Sequence, residues 1–308
     1  MIAFFVTGVA AVLGLAFGSF LNVCVARWPE AESIVRPRSH CRSCGRTLAW
    51  HENIPVLSWI ALHGRCRTCR TAISYRYPLV ELLVGLTWAI AAWQAMSTVA
   101  TQGAPSSQWL GAGVFTALLL AAEKMILCWL LIGLAVLDAA HFWLPDRLTV
   151  GGAVVGIPFA FFNFVMRWFW PTSVPQTPTE WAAHHAVVLA SVLHWAIALV
   201  VAPGIILVTR WTYRMARHRE GIGLGDAKLM LLMAVWLGLA HTLLAFVLGV
   251  LLGAIVAAAM AFVSPARRGS EIWALARLPL GSCLGAGGIV SALWGNLLVA
   301  GYLRLVGF

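Results

Sequence analysis

The sequence predicts an all-α polytopic membrane fold of about eight transmembrane helices, and three observations predict it. Of the 308 residues, 61% are hydrophobic and only 10% are charged, and the mean hydropathy is +0.87, outside the range of water-soluble globular domains. Apolar runs recur at the length of about 20 residues that spans a bilayer as helix. Basic residues also gather in alternate connections between those runs, as the positive-inside rule requires of a multi-pass chain.

Hydrophobic patterning places the helices at residues 2–25, 78–97, 113–137, 147–166, 186–208, 227–240, 242–263 and 280–302, the last pair but one meeting near His241. The first run has no basic residue ahead of it and exceeds the apolar core of a signal peptide, so it is expected to remain as the first span. With the N-terminus outside, the inner connections collect the arginines from Arg27 to Arg76, then Arg147, then Arg210, Arg214, Arg217, Arg219 and Lys228, then Arg267, Arg268 and Arg277. Of the 21 basic residues only Lys124, Arg167 and Arg304 fall elsewhere. Topology therefore accounts for the net charge of +10 without a nucleic-acid partner. The outer connections carry Trp168, Trp170 and Trp181, suited to the membrane interface. No internal repeat of the transporter kind is evident. Three segments are expected: a first helix at 1–26, a hydrophilic loop domain at 27–77, and a helical core at 78–308.

The loop holds Cys41-Arg-Ser-Cys44 and Cys66-Arg-Thr-Cys69. Two C-x2-C pairs separated by a spacer can present four thiolates to one tetrahedral ion, and zinc suits a closed sulfur site. A loop this small has too little apolar area to fold alone, so metal binding would supply stability. An iron site and a pair of redox dithiols are the competing readings. Cys24, Cys128 and Cys283 stand singly in apolar runs, which argues against a disulfide framework.

Ionisable groups at membrane depth or at helix ends are costly and therefore functional candidates. They are Glu81, Glu123, Asp138, Asp146 and Asp226. Asp138 ends the third span, where its charge opposes the negative end of the helix dipole. Asp226 closes Gly221-Ile-Gly223-Leu-Gly225-Asp226, whose glycines permit close backbone approach. It also reads as an ordinary helix N-cap. Asp146, after Leu144-Pro145, suits the first turn of the next helix. Two carboxylates meeting at the inner surface can share a proton and hydrolyse a peptide; the same pair can serve a transporter as an ion relay. Asn22 and Lys228 are further polar residues in helices, able to join helices to one another.

Together these elements resemble the bacterial type IV prepilin peptidase family over nearly the whole chain. The resemblance rests on Gly18-Ser-Phe-Leu-Asn22-Val, the two cysteine pairs, Trp50 to Trp59 read as W-HENIPVLS-W, Arg76-Tyr-Pro-Leu-Val-Glu81-Leu, Asp138 with Leu144-Pro-Asp146, and Gly221 to Lys228 read as GIGLGDAK. It implies a membrane-embedded aspartic protease that removes the basic leader from type IV prepilins, or from type II secretion pseudopilins, at the cytoplasmic face of the bacterial inner membrane. It further implies methylation of the new N-terminus with S-adenosylmethionine, although a leader peptidase without methyl transfer is an alternative. By motif position Asp138 and Asp226 are the catalytic pair, Cys41, Cys44, Cys66 and Cys69 bind zinc, and Asp146, Lys228, Gly223, Gly225 and Glu81 support. Two departures stand out: Cys41-Arg replaces the family's Cys-Pro, and Ala139-Ala140-His141 follows Asp138 where relatives often carry another polar residue.

Overall fold

A computed structural model describes residues 1–101, 112–169, 176–217, 223–263 and 279–307. Trp170, Arg219, Gly221, Arg267, Arg268 and Arg277 lie outside the described residues. The helices are α1 (Ile2–Arg27), α2 (Leu57–Ala61), α3 (Arg76–Thr101), α4 (Ala112–His141), α5 (Asp146–Phe169), α6 (Pro178–Arg217), α7 (Leu224–Val263) and α8 (Leu280–Val306). Seven of them are long and apolar enough to cross a membrane. Among the described residues extended structure is confined to two isolated bridges in the loop domain. The chain divides into two compact units, Met1–Gly133 and Leu134–Phe308, with the boundary inside α4.

In the first unit α1 packs along α3 at backbone contact. Gly14 and Gly18 on α1 form the small-xxx-small spacing that lets membrane helices approach. A Cβ on Gly14 would stand 2.8 Å from the Gly85 Cα, and one on Gly18 would stand 2.7 Å from the Glu81 Cα. Polar ties supplement this packing: the Asn22 side-chain amide donates to the Tyr77 carbonyl at 2.9 Å, and Trp129 on α4 donates to the Phe17 carbonyl at 3.1 Å. Lys124 on α4 donates to Gln94 Oε1 on α3 at 2.8 Å, so its charge has a polar partner at membrane depth. Cys24 and Cys128 are buried.

The second unit differs from expectation at one place. The spans anticipated at 227–240 and 242–263 form a single 40-residue helical run, α7, broken at Gly238, three residues ahead of the His241 junction. Its backbone angles, φ 71° and ψ −177°, belong to a region that glycine alone enters cheaply. The chain reverses there. Gly249 lies against Leu284 and Gly253 against Leu280 and Cys283, while His241, just past the break, meets Asn296 at 3.0 Å, so the second limb runs antiparallel to α8. Gly225 and Gly281 both abut Leu144, which brings the start of the first limb to the start of α8. A straight helix would separate Gly225 from Gly253 by roughly 42 Å. Two spans were expected here, and two antiparallel limbs are what this helix contains.

Tryptophans fix the first limb of α7 against its neighbours. Trp236 donates to the Gly152 carbonyl on α5 at 3.0 Å, over Gly156, where a Cβ would meet its ring at 2.6 Å. Trp195 on α6 donates to the Val235 carbonyl at 2.9 Å. Trp168 stacks instead on His185, with centroids 4.2 Å apart, and Trp181 meets the same ring at a tilt of 43°, 5.7 Å away.

Gly238→Ala should cost about 1–3 kcal/mol, the strain of placing a side chain in that backbone region. Equilibrium unfolding of the purified protein in detergent checks this, against Gly301→Ala, which sits in open space within α8 and should lose no stability, since alanine is the better helix former.

Candidate active site and metal centre

The second unit gathers its acids around Leu144. Asp138 lies in the last turn of α4 and is buried. Its unfavourable position at a helix C-terminus is offset by the N-terminus of α8, whose exposed donors and positive dipole end favour an anion. The Ser282 backbone N–H donates to Asp138 Oδ2 at 2.7 Å. The Ser282 hydroxyl lies 3.1 Å from the same oxygen and 2.7 Å from the Ala135 carbonyl, tying α8 to the last turn of α4. Gly281 makes this possible, because a Cβ there would stand 3.0 Å from both Asp138 Oδ2 and Leu144 Cδ1. Sequence reading missed Ser282. The available signal was Pro279-Leu280-Gly281-Ser282, a helix start rich in small residues, yet nothing in it announces a partner 144 positions upstream.

Asp226 is also buried. It is not the N-cap of its helix, since α7 begins at Leu224 and Asp226 is the third helical residue. Its carboxylate reaches back to the Gly223 backbone N–H, half of a capping box. Gly225 faces Leu144 at 3.0 Å from a virtual Cβ, so the close approach foreseen for the glycine string occurs there. Leu144 thus has Gly225 on one side and Gly281 with Asp138 on the other, and the two aspartates lie within Coulombic reach of each other. Asp146 opens α5 as expected, and its carboxylate forms an ion pair with Lys228. That contact links the starts of α5 and α7 beside the two buried acids.

The first unit carries the thiols. Cys41, Cys44, Cys66 and Cys69 have their sulfurs within 4.8 Å of one another and form a cluster able to hold a metal ion. Cys41 Sγ and Cys69 Sγ are 3.7 Å apart. Thiolates bonded to one tetrahedral ion at about 2.3 Å stand about 3.8 Å apart, so the spacing fits a shared ion and is far too long for a disulfide. Each pair sits in the same backbone knuckle. The Cys41 N–H donates to the Arg46 carbonyl and the Gly45 N–H to the Cys41 carbonyl, matched by Cys66 to Thr71 and Arg70 to Cys66. Bridges pair His40 with Thr47 and Arg65 with Ala72, so the loop contains a local duplication that escaped sequence reading.

The thiols do not ionise alike. The Thr71 hydroxyl, foremost, draws Cys69 down to about 6. At Cys44 the bond from the Arg46 backbone is outweighed by desolvation and by the neighbouring sulfurs, which push it up to about 11. Four thiolates this close need a cation among them.

Buried carboxylates brace the loop. Glu52 accepts the Ala49 N–H at 2.8 Å and a two-pronged bond from Arg46 at 2.6 and 2.8 Å, which hold its carboxyl below the ordinary range. Glu81, near the start of α3, accepts the Val56 N–H at 2.7 Å and also bonds Ser19 and Asn22 on α1. Val56 has φ 60°, a strained value for a β-branched residue, and the Glu81 bond holds it there.

Two family models match the chain: the Bacterial Peptidase A24 N-terminal domain over residues 12–95 and the Type IV leader peptidase family over residues 125–258. A prepilin leader peptidase/N-methyltransferase of Pseudomonas putida is 30% identical over 99% of this chain and 96% of its own length. A type 4 prepilin-like proteins leader peptide-processing enzyme of Escherichia coli is 31% identical over 92% and 91%. A prepilin leader peptidase/N-methyltransferase of Myxococcus xanthus reaches 47%, over 49% of this chain and 39% of its own. No solved structure matches the chain.

Replacing Cys41 and Cys66 together by Ser leaves two sulfurs and should lower bound metal from about one ion per chain to near zero. Elemental analysis of the purified protein measures this directly, and unchanged metal content would reject the site.

Proposed function

The chain belongs to the type IV leader peptidase family, and on that premise we infer that it is a membrane-embedded aspartic endopeptidase that cuts the leader from type IV prepilins or type II secretion pseudopilins. One observation carries the reading: Asp138 and Asp226, from two separate helix ends, are buried around Leu144 within Coulombic reach of each other. Neighbouring carboxylates share a proton because both cannot readily ionise. One can then take a proton from water as it attacks the scissile carbonyl while the other protonates the carbonyl oxygen. The first, now protonated, passes its proton to the leaving amine as the second takes one back from the gem-diol. The N-terminus of α8 keeps Asp138 oriented, and the Asp146–Lys228 pair holds the starts of α5 and α7 together.

The four-cysteine site takes zinc in this reading. Four protein thiolates close the coordination shell, so the ion stabilises residues 27–77 as a module between the first helix and the core at 78–308 and contributes no open position for chemistry. The arginine distribution supports an inner-membrane orientation with the N-terminus periplasmic and the zinc loop cytoplasmic. The reversal at Gly238 keeps the parity of spans on which that orientation depends. Lipid is the surrounding partner, and its anionic headgroups attract the inner arginines.

The relatives' names extend the reading to N-methylation of the new N-terminus with S-adenosylmethionine. When bound, that donor supplies an electrophilic methyl group on sulfur, which the free amine accepts as it releases a proton.

Asp138→Asn and Asp226→Asn should each reduce leader removal by about 10²- to 10⁴-fold while the protein stays in the membrane at normal abundance. Gel-shift assay of a prepilin in isolated membranes reads this, and full cleavage by either variant would sink the pair. Intact mass of the mature pilin N-terminal peptide should be greater than the unmodified value by one methylene. An unshifted mass would leave a peptidase without methyl transfer.

A further inference from the structure

The two buried aspartates are not equally provided with donors. Asp138 takes the Ser282 backbone N–H on Oδ2 at 2.7 Å and the Gly281 N–H, and the Ser282 hydroxyl stands 3.1 Å from that same Oδ2. Among the described residues, Asp226 takes the N–H of Gly223. A hydrogen bond donated to a carboxylate favours its ionised form, and is stronger than one between neutral groups. The hydroxyl adds a second asymmetry, because its hydrogen has another acceptor in reach, the Ala135 carbonyl at 2.7 Å. A serine hydroxyl rotates to suit its surroundings. It can donate to Asp138 when that group is charged, and turn to Ala135, offering Oδ2 a lone pair, when that group is protonated. The titratable groups facing the Asp138 carboxylate are Asp226 from α7 and the Cys283 thiol on α8, and neither is a cation. Asp146 and Lys228 are taken up with each other.

We propose that Ser282 is a positioning residue that makes the pair unequal: it keeps Asp138 as the charged member, which takes a proton from the attacking water, and leaves the shared proton on Asp226. The proposal rests on the reading of the chain as an aspartic peptidase and deepens it. As the water oxygen bonds to the scissile carbon, Asp138 gains a proton of that water and Asp226 gives its own to the carbonyl oxygen. When the C–N bond breaks, Asp138 passes its proton to the amine nitrogen and Asp226 recovers one from a gem-diol hydroxyl. Both acids end as they began. The Ser282 hydroxyl follows the charge on Asp138 by rotation alone, so the contact between α8 and the last turn of α4 persists through the cycle.

The test is the pH profile of leader removal from a prepilin by the purified, full-length, metal-loaded protein in nanodiscs. In a coupled pair the acid limb reports ionisation of the more acidic member, and the alkaline limb reports loss of the shared proton. Ser282→Ala should move the acid limb up by about 0.5–1 pH unit and leave the alkaline limb in place. Ser282→Thr, which keeps the hydroxyl, should restore the wild-type profile. Ser282→Cys fills nearly the same space with a weaker donor and should move the acid limb the same way, so the result does not hang on how one variant folds. An alkaline limb that moves while the acid limb stays would overturn the proposal by placing the proton on Asp138. Limbs unmoved in the Ala and Cys variants, whatever their rates, would overturn it too and leave the hydroxyl as a tie between α8 and α4. No cleavage by wild type at any pH would instead overturn the peptidase reading.

Discussion

A carboxylate withdrawn from water must be met by a donor, and in this protein the donor is repeatedly the main chain. Glu52 takes the N–H of Ala49, Glu81 that of Val56, Asp138 that of Ser282 and Asp226 that of Gly223. All four acids are buried. Main-chain donors are free only at helix starts and in irregular loops, because helix interiors consume their own. The donors to the buried acids therefore come from helix starts or from turns of the loop, and Asp138, at the end of α4, takes its donor from the start of α8.

Close helix packing follows from the same solvent. Hydrocarbon drives no hydrophobic association between helices, so contact area and small residues must serve. Gly14, Gly18 and Gly85 bring α1 onto α3, and Gly249 and Gly287 bring the second limb of α7 onto α8. The glycine at 281 belongs to this set and does more, since the room it leaves is where the Asp138 carboxylate rests.

The spans were legible because hydrophobic runs of membrane length have few other readings, and the thiol cluster was legible because two C-x2-C pairs carry their own geometry. Asp138 and Asp226 could be named from cost alone, one opposing a helix dipole and one following glycines. The pairing of residues distant in the chain was not legible. Ser282 looks like an ordinary helix-start serine, and Asp146 had a local explanation, in the first turn of its helix, that gave no hint of Lys228 as its partner. Gly238 escaped notice as the reversal point because a glycine within an apolar run is more often a packing contact than a break. Its neighbour His241 drew attention by polarity, and the junction was expected three residues late.

The first limb of α7, from Leu224 to the break at Gly238, is about 21 Å long at 1.5 Å per residue. A hydrocarbon layer is about 30 Å thick, and the limb is buried against protein through Leu229, Met230, Leu232, Met233 and Trp236, so neighbouring helices rather than lipid surround a segment too short to span. Asp226 lies twelve residues from the turn, in the first turn of the limb. A short, folded-back helix thus returns the chain to the side on which it began, so that the start of α7 and the start of α8 meet at the same residue, Leu144.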